Sequence, residues 1–149
     1  MKQLVLPVTA YQQNCTFVLC EKSGKAAVID PGGEAERLLA IVEKHQLDVE
    51  KILLTHVHLD HVGAAADLRE KLGVPIVGPQ EADAFWLQQL PQQGQMLGGP
   101  TLQAFDPDQW LSDGDTVCVG EITFEVLHCP GHTPGHVVFF NRKSNWAQV

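Results

Sequence analysis

Positive charge is scarce in this 149-residue chain, where 10 lysines and arginines stand against 18 aspartates and glutamates for a formal net charge of −8. Without a basic patch there is nothing to displace the counterions of a nucleic acid or to hold an anionic membrane surface, so neither partner is expected. An acidic surface also repels acidic substrates, and an anionic substrate would depend on local positive charge such as a bound metal ion. No apolar run approaches the roughly 20 residues that span a bilayer. Met1 to Pro7 leads straight into a strand-like pattern and not into a charged-then-apolar leader, which makes the cytoplasm the expected compartment. The four cysteines, Cys15, Cys20, Cys118 and Cys129, lack the paired C-x-x-C spacing of a zinc ribbon or redox motif, so free and partly buried thiols are expected. Internal repeats and low-complexity linkers are absent too. With 44% hydrophobic and 19% charged residues, the chain reads as one globular domain with a sizeable core.

What is present is concentrated. Thr55-His56-Val57-His58-Leu59-Asp60-His61 packs three imidazoles and a carboxylate into six positions directly after an apolar run. Imidazole and carboxylate are the donors that borderline divalent metals favour, and a hydrolytic site needs several of them converging with one position open. Alternate residues of an extended segment point the same way, so His56 and His58 can reach one ion together. Asp60 and His61 fall where the chain turns, placed to address a second ion or the attacking water. Surface histidines that merely precede a helix would account for one imidazole, but not for this density.

Strands are expected at Gln3 to Pro7 and Thr16 to Cys20, joined by the turn Gln12-Gln13-Asn14, and at Lys25 to Ile29, stopped by Asp30-Pro31-Gly32-Gly33. Asp30 ends an apolar strand, either as a turn-maker or as an acceptor that orients a metal-ligating histidine. A helix should run from Glu34 to about His45, with Ala35, Leu38, Leu39 and Val42 on one face. Ile52-Leu53-Leu54 reads as a strand covered on both faces, which places the histidine cluster at the carboxyl edge of a buried sheet. Further helices are expected over His61 to Leu72 and Gln80 to Leu90, with Phe85 and Trp86 in packing roles. Pro75 to Val77 should be a strand, and Pro91 to Pro107 an irregular loop or lid. Alternation returns after Asp113-Gly114-Asp115, with Ile122, Phe124 and Val126 facing inward, and Val137 to Phe140 is the last clear strand.

The second chemical segment is Leu127-His128-Cys129-Pro130-Gly131-His132-Thr133-Pro134-Gly135-His136. Its prolines and glycines break regular structure and set three histidines on a turn where the backbone can approach an ion closely. One of these imidazoles, added to His56 and His58, completes a three-histidine site with an open fourth position, the arrangement that brings the pKa of bound water near 7. Spacing alone leaves His128, His132 and His136 equivalent. Cys129, between two of them, serves as a small apolar filler at a strand end or as a thiol near the metal.

H-x-H-x-D-H followed by P-G-H-T-P-G-H resembles the metallo-β-lactamase superfamily. Val8-Thr9-Ala10, Gln13-Asn14-Cys15, Asp30-Pro31-Gly32-Gly33, the segment from Thr55 to Gly63, and that from Pro130 to His136 are similar to its glyoxalase II branch, the hydroxyacylglutathione hydrolases. The resemblance implies an α/β fold, a four-layer αβ/βα sandwich carrying up to two metal ions at one edge of the paired sheets. It implies that His56, His58 and His132 hold the first ion, that Asp60 and His61 hold the second, and that Asp60 belongs to the catalytic group. His128 and His136 match neighbouring positions that do not ligate. Zinc is the expected metal, with iron or manganese compatible with the same donors.

Two parts of the family pattern are not found: a Gly-Asp whose carboxylate bridges the metals and a later Gly-His-Gly. A truncated chain of a longer hydrolase is therefore expected, with the second half of the sandwich incomplete and apolar sheet surface left uncovered. The implied activity is hydrolysis of a small-molecule thioester such as S-lactoylglutathione. The alternatives are a catalytically weak metal-binding module, a lactonase or β-lactamase, a persulfide dioxygenase, or a fragment whose bare sheet only associates. A monomer or weak homo-oligomer is expected.

Overall fold

The computed structural model describes residues 1–96 and 102–149. Alternating apolar residues build β1 (Lys2–Val8) and β2 (Gln13–Leu19), a hairpin in which Leu4 lies opposite Phe17 and Leu6 opposite Cys15. β3 (Lys25–Ile29) pairs antiparallel with β2 and parallel with β4 (Asp48–Leu53), and β5 (Ile76–Val77) adds a short parallel edge. The crossover from β3 to β4 is α1 (Ala35–Lys44), within one residue of the expected helix at both ends. β6 (Thr116–Val119), β7 (Ile122–His128), β8 (Val137–Asn141) and β9 (Trp146–Gln148) form a second, fully antiparallel sheet in sequence order.

Strand alternation divides the core in two. Phe17, Ala26, Val28 and Ile52 face Leu38 and Leu68 of the helical layer. Val18, Ala27, Ile29 and Leu53 meet Val119, Phe124, Val126, Val137 and Phe139 of the second sheet. The layers are thus helix, sheet and sheet, an α/β architecture. Among the described residues no helix covers the outer face of the second sheet, where Leu127 is 40% exposed. No helix is long and apolar enough to cross a membrane, again among the described residues.

Several expected boundaries move, each for a local reason. The single helix over His61 to Leu72 is two, α2 (Leu59–Val62) and α3 (Ala65–Leu72). The break lies where Gly63 presses against the Pro31-Gly32 turn: a Cβ there would come within 2.4 Å of the Gly32 carbonyl oxygen, and the Ala64 amide donates to Pro31 at 2.9 Å. The helix expected over Gln80 to Leu90 is a 3₁₀ turn, Glu81–Asp83, followed by α4 (Ala84–Gln88). The irregular segment from Pro91 begins instead inside α5 (Leu90–Met96), since proline is tolerated in a first helical turn; positions 97–101 lie outside the described residues. Gln13 and Asn14 belong to β2, and the turn comes earlier, with Thr9 and Gln12 in the left-handed region. β6, four residues long, is not among the expected strands, and β9, three residues long, follows the last strand that alternation marks clearly.

The thiols also differ from expectation. All four are free, but Cys118 and Cys129 are exposed, so Cys129 is not an apolar filler, while Cys15 and Cys20 are buried. Burial, with the charge of Asp30 nearby, pushes the Cys15 thiol well up. Hydrogen bonds from Ser23 and the Glu121 amide instead pull the Cys20 thiol down to about 7. An aromatic disulfide reagent should therefore titrate Cys118 and Cys129 rapidly in the native chain and Cys15 only after denaturation. Four equally fast thiols would contradict this packing.

Candidate metal centre

The parallel strands deliver the first half of the site. β3 is followed directly by Asp30, whose amide donates to the Leu53 carbonyl at 3.0 Å, and β4 runs out into Leu54, Thr55 and His56. His58 keeps an extended backbone (φ −119°, ψ 150°) before α2 begins, so His56 and His58 share a side as the alternation predicted. The turn between β7 and β8 delivers the second half. It is tied to the first by the Val137 amide, which donates to the Thr55 carbonyl at 2.8 Å.

His56, His58 and His132 converge. One nitrogen from each lies within 4.8 Å of the others, and their ring centroids are 4.7 to 4.9 Å apart. A hydrogen-bond chain sets the tautomer of His56. Thr55 Oγ1 donates its only hydrogen to Asp30 Oδ2 at 2.6 Å, so at His56 Nδ1, 2.9 Å away, the hydroxyl must accept. Nδ1 then carries the proton and Nε2 presents its lone pair. That Nε2 is buried without a hydrogen-bond partner in the described structure, an orphaned donor atom aimed into a three-imidazole cluster. The residues present fit a divalent cation.

Asp30 is therefore more than a turn-maker. It is 1% exposed, holds a positive φ of 53°, and accepts from the Thr55 amide at 2.8 Å and from His61 Nδ1 at 3.0 Å. His61 Nε2 lies 3.7 Å from Asp60 Oδ2. Asp60 and His61 are thus adjacent, but among the described residues no third ligand gathers with that pair; the other cluster is Asp30, His56 and His61, which shares His56 with the first.

Of the three histidines on the second turn, only His132 joins His56 and His58. His128 Nε2 donates to the Pro134 carbonyl at 2.8 Å and braces the turn. His136 is 8% exposed and stacks on His56 at 4.6 Å with 17° between planes, and its Nε2 also lacks a partner. Of the two aromatics expected to pack, Trp86 lies against the core and edge-on to His58 at 6.3 Å, while Phe85 is 63% exposed and packs edge-on to Trp86 at 5.5 Å. Asp83, wholly buried among these segments, went unnoticed in the sequence because a single aspartate ahead of an apolar helix carries no signal of its partners.

Burial, then repulsion from the surrounding imidazoles, pulls His56 down to about 2, and burial also lowers His58 and His136. For His61 burial pulls downward, but the bond to Asp30 and the two nearby carboxylates outweigh it and raise the pKa. A histidine that binds protons less well folded than unfolded contributes its stability above the unfolded pKa of about 6.5 and loses it as the pH falls toward the folded value. His61 works in the opposite sense, losing its contribution as the pH rises through its raised pKa. Three lowered groups, one of them strongly, dominate. The urea midpoint of the chelator-treated chain should therefore fall between pH 7.5 and pH 5, and an unchanged midpoint would refute the assignment.

The Metallo-beta-lactamase superfamily profile matches residues 8–147. The chain is 46% identical over 144 residues to the hydroxyacylglutathione hydrolase GloC of Haemophilus influenzae, covering 96% of this chain and 68% of that protein. It is 33% identical to a hydroxyacylglutathione hydrolase of Bdellovibrio bacteriovorus, covering 97% of this chain and 51% of that protein. The chain thus spans about half to two-thirds of these relatives. Among solved structures, the BLEG-1 B3 metallo-beta-lactamase superposes with a TM-score of 0.85 at 31% identity, over 96% of this chain and 68% of the other. A protein crystallised in a di-iron-bound form gives 0.85 at 33% identity, over 97% and 69%. Sheet order, the imidazole cluster and these likenesses agree: the chain belongs to the metallo-beta-lactamase superfamily.

Proposed function

We propose that this chain carries the metal-binding half of a hydrolase that cleaves a small-molecule thioester such as S-lactoylglutathione. The observation that carries the reading is the meeting of His56, His58 and His132 around a buried, unpartnered Nε2. The thioester follows from the likeness to hydroxyacylglutathione hydrolases. When bound, a divalent cation supplies Lewis acidity and acidifies water toward neutral pH. Zinc is our choice, and the same donors suit iron, the metal of one structural neighbour.

The chain's own residues do the rest. His56 stays neutral because burial and its neighbours hold its pKa down, so its Nε2 is ready at any physiological pH. Asp30 and Thr55 lock its tautomer. The Asp60 carboxylate, one-third exposed beside the cluster, accepts the proton released as water adds to the thioester carbonyl carbon. The C–S bond then breaks, the thiolate leaves, and a 2-hydroxy acid is released. Assays with S-lactoylglutathione beside lactone and β-lactam panels test the reading, the last because of the likeness to a B3 metallo-beta-lactamase. Absence of thioesterase activity with lactone or β-lactam turnover would replace it.

A weakly catalytic binding module is the second reading, favoured by the Asp60–His61 pair having no third partner among the described residues. Both three-residue clusters draw on His56, so one tightly held ion per chain is expected after gel filtration. Two equivalents surviving dialysis would contradict this.

A further inference from the structure

Asp83 is 0% exposed, yet it lies on the short turn ahead of α4, with no counterpart in the motifs that identify the site. Its two oxygens reach both halves of the imidazole cluster. Oδ2 accepts from the Val57 amide at 2.9 Å, between His56 and His58, and from Thr133 Oγ1 at 2.9 Å, next to His132. Oδ1 accepts from the Gly135 amide at 2.6 Å, next to His136. The same turn is closed from the other side by the Gln80 amide, which donates to the Gly135 carbonyl at 3.0 Å.

The approach is so close that position 135 admits no side chain. A Cβ there would stand 2.4 Å from the Gln80 carbonyl oxygen and 2.8 Å from Asp83 Cγ. All three donors are neutral, which leaves a full negative charge buried beside the ligands. Such a charge is costly to bury. It has the right sign to favour a cation among the imidazoles.

We infer that Asp83 is a positioning residue for the metal centre: its carboxylate clasps the His56–His58 segment to the His132 turn and so sets cation affinity. The inference rests on the three-histidine reading above. Both carboxylate oxygens face donors, so in Asp83→Asn the amide NH₂ meets an N–H or O–H whichever way it turns. Groups bonded directly to a ligating side chain typically cost about 10–100-fold in metal affinity when removed. Asp83, which acts through the backbone and a hydroxyl beside the ligands, belongs at the lower end of that range.

Cobalt(II) affinity and visible absorption are measured for the wild-type chain, Asp83→Asn, Thr133→Val and Thr133→Ser, with circular dichroism to confirm folding. Asp83→Asn should bind cobalt about 10-fold more weakly, with an altered ligand-field spectrum. Thr133→Val should weaken binding several-fold, and Thr133→Ser, which restores the hydroxyl, should recover it. A clasp that served only the fold would lower the melting temperature without moving affinity or spectrum, and that result overturns the inference. Should Asp83→Asn fail to fold, the two Thr133 variants decide in the same way. Equal binding by all folded proteins removes the clasp alone, whereas a wild-type chain that takes up no cobalt removes the metal centre and the clasp with it.

Discussion

Substituting His132→Ala should lower divalent-metal affinity by more than about 100-fold, the upper end of what even an outlying partner of a ligand costs, and thioester hydrolysis should fall with it. His132 is the informative choice among the three imidazoles. His56 is buried against Thr55 and four other histidine rings, so its removal disturbs packing as well as coordination. His132 is exposed and, among the described residues, meets only the rings of His56, His58 and His136. The variant should therefore melt at the wild-type temperature when both are metal-free. A competition titration against a chromophoric chelator measures the effect directly. Affinity within a few-fold of wild type would show that His132 is a bystander and would remove the three-histidine site.

Asp30→Ala should destabilise the chain by about 3 kcal/mol, because it strips a buried amide and a buried hydroxyl of a charged acceptor. The change also places alanine at a φ of 53°, where aspartate and asparagine are better tolerated. Without Asp30, Thr55 Oγ1 is free to donate to His56 Nδ1, which would move the imidazole proton to Nε2 and close the lone pair to a cation. Stability and metal affinity should fall together. Asp30→Asn keeps one oxygen for the Thr55 amide and suits the backbone, so it should lose less stability. Its amide NH₂ replaces Oδ2, however, and leaves Thr55 Oγ1 free to donate to His56 Nδ1, so metal affinity should fall as in Asp30→Ala. Urea midpoints for the two variants check the order; equal losses would mean that charge, and not acceptor geometry, governs the position.

Where signals are local, sequence and structure agree. Lys25 to Ile29 was bounded correctly by its apolar run and the following Asp-Pro-Gly-Gly, and α1 by its period. The two-residue spacing of His56 and His58 forecast their common side because strand geometry depends only on neighbours. Which of His128, His132 and His136 joins them depends on how the second sheet docks on the first, and no spacing within ten residues encodes that. Asp83 escaped for the same reason, since the partners of its carboxylate lie 26 or more positions away. The division of the expected helix at Gly63 needed the Pro31-Gly32 turn to be in place before it made sense.

The bond from Val137 to Thr55 has a kinetic corollary. The four C-terminal strands are consecutive neighbours and can zip up early, whereas β3, β4 and β5 need crossovers that close slowly. His132 reaches its companions only after these two assemblies meet. The cation pocket is therefore among the last things folding completes, and metal uptake during refolding should trail the recovery of secondary structure.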